Sequence, residues 1–217
     1  MAAPAATLLY WPILARNVYA ELVAAAGGVA LARVEPEWPG TLKSATPFGQ
    51  LPVMDIVVDG ATVRVAQSFA IMRVLARRGG IAGNSEADFA RSEMLIEEAA
   101  DIYTALAKPM YAPGYPATRP EAYAAFFAPG GPASAHVGFL EALVTPEGDF
   151  TAERTAGEAA VMGSLYLLAQ LEPAEALFAA APKLQAFYSR RLPAAAALLH
   201  GLRPYFSRAA VKGPEED

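Results

Sequence analysis

The chain predicts two domains of different class, an α/β domain first and an all-α domain after it. Three observations lead there. β-prone runs occur only in the first part of the sequence, in the order β-α-β-loop-β-β-α. Beyond residue 84 the strand signals stop and apolar residues recur at helical spacing. The composition, 217 residues with 54% hydrophobic side chains, supplies core for both units, and its abundance of alanine favours helix.

Residues 7–11, TLLYW, form a short β-prone run that Pro12 interrupts. Residues 15–26 read as a helix with Val18, Leu22 and Ala25 on one face, and Gly27-Gly28 ends it because glycine tolerates positive φ. VALARVE, residues 29–35, predicts a second strand, and a Pro- and Gly-rich loop follows over 36–49. Two apolar runs, 53–58 and 62–65, flank Asp59-Gly60. An Asp-Gly pair in that place signals a type I′ hairpin, whose two central residues both need positive φ. Ser68 is the N-cap expected for the helix that Gly79-Gly80 stops. A crossover followed by a hairpin predicts a mixed sheet, parallel in part and antiparallel at one edge.

The domain boundary is expected near Gly83, giving an α/β unit over 1–83, a helical unit over 84–205 and a flexible tail over 206–217 that ends in VKGPEED. Residues 86–108 predict one long helix, to which Phe89, Met94, Ile96 and Leu106 contribute apolar positions. Residues 108–132 are dense in Pro, Gly and Tyr and are expected to be irregular. Helices resume over 134–144, 155–171, 173–181 and 183–199.

Composition removes several kinds of chemistry. Zero cysteines exclude a disulfide framework, Cys-ligated zinc and a thiol nucleophile on the chain itself. His136 and His200 are the only histidines, so no metal is expected. The formal net charge of −5 argues against nucleic acid as the main partner, because phosphate binding needs a basic face. No apolar run approaches the roughly 20 residues that cross a bilayer, and MAAPAATLLYW lacks the basic n-region of a secretory signal. The expectation is a cytoplasmic protein with no membrane partner. Its chemistry must use hydroxyls, carboxylates, arginines or a reagent brought by a ligand.

TPFGQLPVMDIVVDG, residues 46–60, places Pro52 immediately before an apolar strand. Proline cannot donate to a sheet ladder, so it belongs at a strand's first residue, at an edge or at a bulge. WPGTLKSATPFGQLPVM (38–54) followed by VAQSFAIMRVLARRGGIAG (65–83) resembles the glutathione-binding domain of cytosolic glutathione transferases, the sigma-type branch above all. The resemblance is dense over 10–83 and thinner beyond. There TAGE (155–158) and APKLQAFYSRR (181–191) are similar to the family's capping-box helix and the segment after it.

That resemblance implies a thioredoxin-like N-terminal domain, a cis Leu51–Pro52 bond, and glutathione as co-substrate whose thiolate attacks a small hydrophobic electrophile. A free thiol has a pKa of about 8.5, so only a few per cent is thiolate at pH 7. A hydrogen bond to the charged form favours ionisation, each pKa unit being worth about 1.4 kcal/mol. The resemblance puts the Tyr10 hydroxyl in this role, with the charge of Arg16 beside it. The plainer alternatives are a half-buried strand tyrosine and a surface arginine.

For binding, it implies Trp38 and Lys43 at the glycyl end of glutathione, with Gln50 in the same region. Leu51 and Pro52 would meet the cysteinyl backbone like an added strand. Gln67 and Ser68 would hold the γ-glutamyl end, where a helix N-terminus attracts anions; Ser68 could equally serve as a simple cap. Trp38 and Lys43 stand one residue further apart than in the family. Asp101 would reach across a homodimer interface to the γ-glutamyl amine of the other subunit, or else belongs to a solvated acidic face with Glu97 and Glu98. Trp11, Tyr103, Tyr111, Tyr115 and Phe206 are candidates for the electrophile pocket, as well as ordinary core aromatics. Glu158 reads as helix capping. Conjugation, peroxide reduction and isomerisation share one thiolate, and the sequence does not separate them. The other reading is a non-catalytic glutathione-binding or structural protein of the same fold.

Overall fold

The structure, a computed structural model, describes residues 5–208. Its first unit is built on four strands, β1 (Ala6–Leu9), β3 (Leu31–Val34), β4 (Val53–Val58) and β5 (Ala61–Ala66), in the order β3-β1-β4-β5. The crossover through α1 (Asn17–Ala26) makes β1 and β3 parallel, while β1–β4 and β4–β5 are antiparallel. The hairpin turn has φ of 50° at Asp59 and 80° at Gly60, the pair of positive values its type requires. Asp55 and Arg64 face each other across it and pair through two hydrogen bonds of 2.8 and 2.7 Å. Leu8, Met54 and Ile56 are buried with Val18 and Val23 of α1 and Ile71, Met72 and Leu75 of α3 (Ser68–Arg78).

The second unit holds α4 (Glu86–Ala107), a 3-10 turn at Lys108–Tyr111, α5 (Arg119–Phe127), α6 (Pro132–Leu143), α7 (Ala156–Leu168), α8 (Ala174–Leu177) and α9 (Pro182–Leu198). α7 is buried along almost its whole length and packs on α4 and α1, so it joins the two units. The Tyr19 hydroxyl of α1 lies 3.0 Å from Ser164 Oγ of α7, and Ala156 N–H donates to Ile81 O at 2.8 Å. Thr155 caps α7 by accepting from Glu158 N–H. Glu158 Oε1 accepts from Phe150 and Thr151 N–H at 2.9 and 3.2 Å, which secures the loop leading into the helix.

Several expectations are corrected. The segment 108–132 is not irregular throughout, because it contains the 3-10 turn and α5. Pro120 lies in the first turn of α5, where proline starts a helix rather than breaking one. Within the loop expected over 36–49 sits a single helical turn, α2 (Leu42–Ala45). Phe89 and Met94 of α4 are each 49% exposed rather than part of the core. A parallel pair of two-residue strands, β2 (Ile13–Leu14) and β6 (Arg203–Pro204), fastens the C-terminal segment to the stretch between β1 and α1. Phe206, expected to open a flexible tail, is buried against Tyr103 and Tyr205. Residues 209–217 of that expected tail lie outside the described residues. No described helix is long and apolar enough to cross a membrane.

Candidate functional site

β1 ends at Leu9, but Tyr10 N–H still donates to Val34 O at 3.1 Å, so the chain leaves the sheet just after Tyr10. Tyr10 is buried with its ring centroid 5.2 Å from that of Trp11. Trp11 in turn meets Trp38 edge-on at 6.3 Å. Arg16 occupies the N-cap position of α1, and its guanidinium carbon sits 4.5 Å from the Tyr103 ring centroid. Among the described residues no carboxylate pairs with Arg16.

Burial holds the Tyr103 hydroxyl well above the usual tyrosine pKa, nearby Tyr10 adds to the rise, and Arg16 partly offsets it. Tyr103 is therefore a neutral platform under the arginine. The peptide before β4, Leu51–Pro52, is cis, as the resemblance implies.

α3 begins differently from its sequence reading. Ser68 is the first helical residue rather than the cap. The cap position is Gln67, with φ 74° and ψ 122° and no capping hydrogen bond from its side chain. A non-glycine residue there is an uncommon backbone state of the kind that clusters at functional sites. The first N–H groups of α3 have no carbonyl to bond within the helix.

These segments meet in a cleft of about 380 Å³ that gathers the expected Trp11, Arg16, Trp38, Gln50, Leu51, Pro52, Gln67, Ser68 and Tyr111. Phe48, Gly49 and Ala66 also line it, and sequence reasoning had not named them. The signal for Phe48 and Gly49 was the Pro47-Phe48-Gly49 run within the segment 38–54 that carries the resemblance. Lys43 is exposed on α2, its side chain packing beside Gly49 at the cleft's edge.

The structure does not bring every candidate into the lining. Tyr10 is buried against Trp11 outside the lining, and Tyr103 and Phe206 pack on each other at 5.7 Å within the core. Tyr115 stacks on Arg119 instead. Tyr111 reaches the C-terminal segment, its hydroxyl 3.1 Å from that of Tyr205. Asp101 is exposed on α4 and makes no ion pair among the described residues. Its neighbours are engaged, Glu97 with Arg73 and Glu98 with His136 at 2.7 Å.

Among the described residues, Arg16 is the one charged side chain in the cleft's lining. A cation with no carboxylate partner among the described residues and the open N-terminus of α3 give the cleft a positive local field, bordered by indole and phenol rings. No group of three or more His, Asp or Glu among the described residues could hold a metal ion.

No family model matches the chain. It is 36% identical to Probable glutathione S-transferase 6 of Caenorhabditis elegans over 97 residues, 43% of this chain and 45% of that protein. Over 81 residues it is 44% identical to Glutathione S-transferase 2 of Manduca sexta, covering 36% and 37% of the two. The chain thus spans less than half the length of the curated relatives it matches. The fold compares more widely. A sigma class GST of Fasciola hepatica superposes with a TM-score of 0.74 at 23% identity, over 90% of this chain and 93% of the other. Over part of its length the sequence is similar to glutathione S-transferases, and over nearly all of it the fold is that of a sigma class GST.

Proposed function

We propose that this chain is a glutathione transferase of the sigma type. The observation that carries the reading is the cleft in which Arg16 is the one charged lining residue among those described, pairs with no acid among them, and sits beside the N-terminus of α3. Glutathione brings two carboxylates and a thiol, and an anion-binding cleft suits all three. In this reading Ser68 and the first N–H groups of α3 take the γ-glutamyl carboxylate, with Gln67 beside them. Leu51 meets the cysteinyl peptide as an added strand would. Trp38, Gln50 and Lys43 hold the glycyl carboxylate, lysine as a point charge. Tyr10 donates a hydrogen bond to the sulfur, and Arg16 further favours its ionised form. The thiolate then attacks an electrophilic carbon resting against Trp11 and Tyr111, and the leaving group departs with the bonding pair. The protein acts as a homodimer in which Asp101 addresses glutathione in the partner subunit.

One observation favours a second reading. Tyr10 is 6% exposed and does not line the cleft, as suits a protein that binds glutathione without ionising it. Thiolate absorbance against pH, with saturating protein, separates the two. The expected result is a bound thiol that ionises at least about one unit below its free value, shifting back toward about 8.5 in Tyr10→Phe with roughly tenfold less thiolate per unit. An unmoved curve for the parent supports binding without turnover. A shifted curve that Tyr10→Phe leaves in place assigns the ionisation to Arg16.

A further inference from the structure

α5 begins with a buried charge. Arg119, its first residue, is only 1% exposed. A cation there also meets the unfavourable end of the helix dipole. A buried lysine can shed its proton, but a guanidinium keeps its charge inside a protein. No carboxylate pairs with Arg119 among the described residues. The compensation they offer is one ring, the guanidinium carbon lying 4.4 Å from the centroid of Tyr115. A cation–π contact returns only part of what it costs to take a cation out of water.

The nitrogens of Arg119 that are buried without a hydrogen-bond partner are Nε and Nη2. They share one edge of the guanidinium plane, where their N–H bonds run parallel and match the two oxygens of a carboxylate. Arg64 shows the same edge in use. Its Nε and Nη2 donate to Oδ1 and Oδ2 of Asp55 at 2.8 and 2.7 Å. Arg64 keeps 32% of its side chain exposed, so water can serve it whenever that pair opens. Arg119 has no such recourse.

Two tyrosines attend the site. Tyr123, one turn along α5, is buried and donates from its hydroxyl to Leu106 O of α4 at 3.1 Å. Burial raises the ionisation of that hydroxyl, and the nearby charge of Arg119 opposes the rise. Tyr115 is half-buried and belongs to the turns over 112–118 rather than to a helix. It is therefore the side from which a small ion can enter.

We propose that the Nε–Nη2 edge of Arg119 binds a small monocarboxylate, which is held by both oxygens beside the Tyr115 ring and fixes the start of α5 against α4. Arg119, Tyr115 and Tyr123 do not line the cleft, and the proposal does not depend on the glutathione reading.

Formate is the probe. Thermal unfolding of the full chain is followed as sodium formate replaces sodium chloride at constant ionic strength. The arginine Nε–H resonances of the 15N-labelled chain are recorded along the same series. The midpoint is expected to rise by about 3–6 °C once formate reaches ten times its Kd, with one Nε–H resonance moving downfield. Arg119→Met, an apolar side chain of similar length, should unfold in chloride no earlier than the parent and lose the formate response. Arg119→Lys keeps the charge without the edge, and should bind formate about tenfold more weakly. Trp11 and Trp38, the chain's two tryptophans, line the cleft, so their emission reports formate beside Arg16 and is expected to stay constant. Equal midpoint shifts in parent and Arg119→Met overturn the proposal. So do arginine resonances that stay in place in the parent, or an emission change that tracks the midpoint. The parent's resonances and emission decide the matter even where a variant does not fold.

Discussion

Tyr19 and Tyr103 are hydroxyls buried at the junction of the two units, and burial pushes the ionisation of each upward. For Tyr19 the Ser164 hydrogen bond and the charge of Arg16 oppose that rise without cancelling it. Below the ordinary tyrosine value of about 10, folded and unfolded chains both keep these protons and stability does not vary on their account. Above it the unfolded chain ionises first, so the stability that the buried hydroxyls contribute is lost as pH rises. Thermal unfolding followed from pH 8 to 11 is expected to show a midpoint that falls beyond about pH 10. Tyr103→Phe should remove part of that slope. An equally steep decline in the variant would place the alkaline sensitivity elsewhere.

At the scale of elements, the contact of α4 with α7 turns on a glycine. A Cβ at Gly157 would stand 2.5 Å from Ser92 O, a backbone atom that cannot swing aside, and Gly157 N–H donates to Ser92 Oγ at 3.0 Å. Helix propensity alone would make Gly157→Ala stabilising by about 1 kcal/mol. Overpacking of a fitted contact costs about 1–3 kcal/mol, so the net effect is expected to be destabilising. Gly138 in α6 is the control, since a Cβ there meets nothing within 4 Å. Gly138→Ala should stabilise by about 0.5–1 kcal/mol. Urea midpoints at constant slope measure both, and matching signs would mean that propensity rather than packing decides at Gly157.

For the whole molecule, several exposed apolar residues bear on assembly. Phe48 is 63% exposed at the cleft, and Phe139 and Leu143 of α6 lie exposed on the helix that packs against α4, itself carrying exposed Met94. Met94, Leu95, Leu143 and Val144 also border a hollow of about 440 Å³. In the proposed homodimer, this projecting aromatic would seat in the apolar hollow of the other copy across a two-fold axis. Under the proposed reading, sedimentation equilibrium is expected to find a dimer. Phe48→Ser should weaken it by about 2–3 kcal/mol, roughly 30- to 150-fold in Kd. A variant that dimerises as the parent does would remove Phe48 from the interface.

Local patterns were enough for much of this. The order of strands and helices, the Asp59-Gly60 hairpin, the mixed sheet and the length of α4 follow from turn chemistry and periodicity, which act over a few residues. The members of the cleft in the first domain were legible through a resemblance concentrated in residues 10–83. Elements too short to show a period were not legible, among them α2 and the β2–β6 pair, which joins segments nearly a whole chain apart. Nor was α5, whose proline carries opposite meanings at a helix start and in its interior. The sequence by itself determined which segments fold and of what type, because backbone propensity and side-chain alternation are local. Only the tertiary structure decided that Arg16 pairs with no acid among the described residues, that Tyr10 is buried against Trp11 and that Phe89 and Met94 stay exposed. Those facts depend on which distant surfaces exclude water from one another, and no window along the chain contains that information.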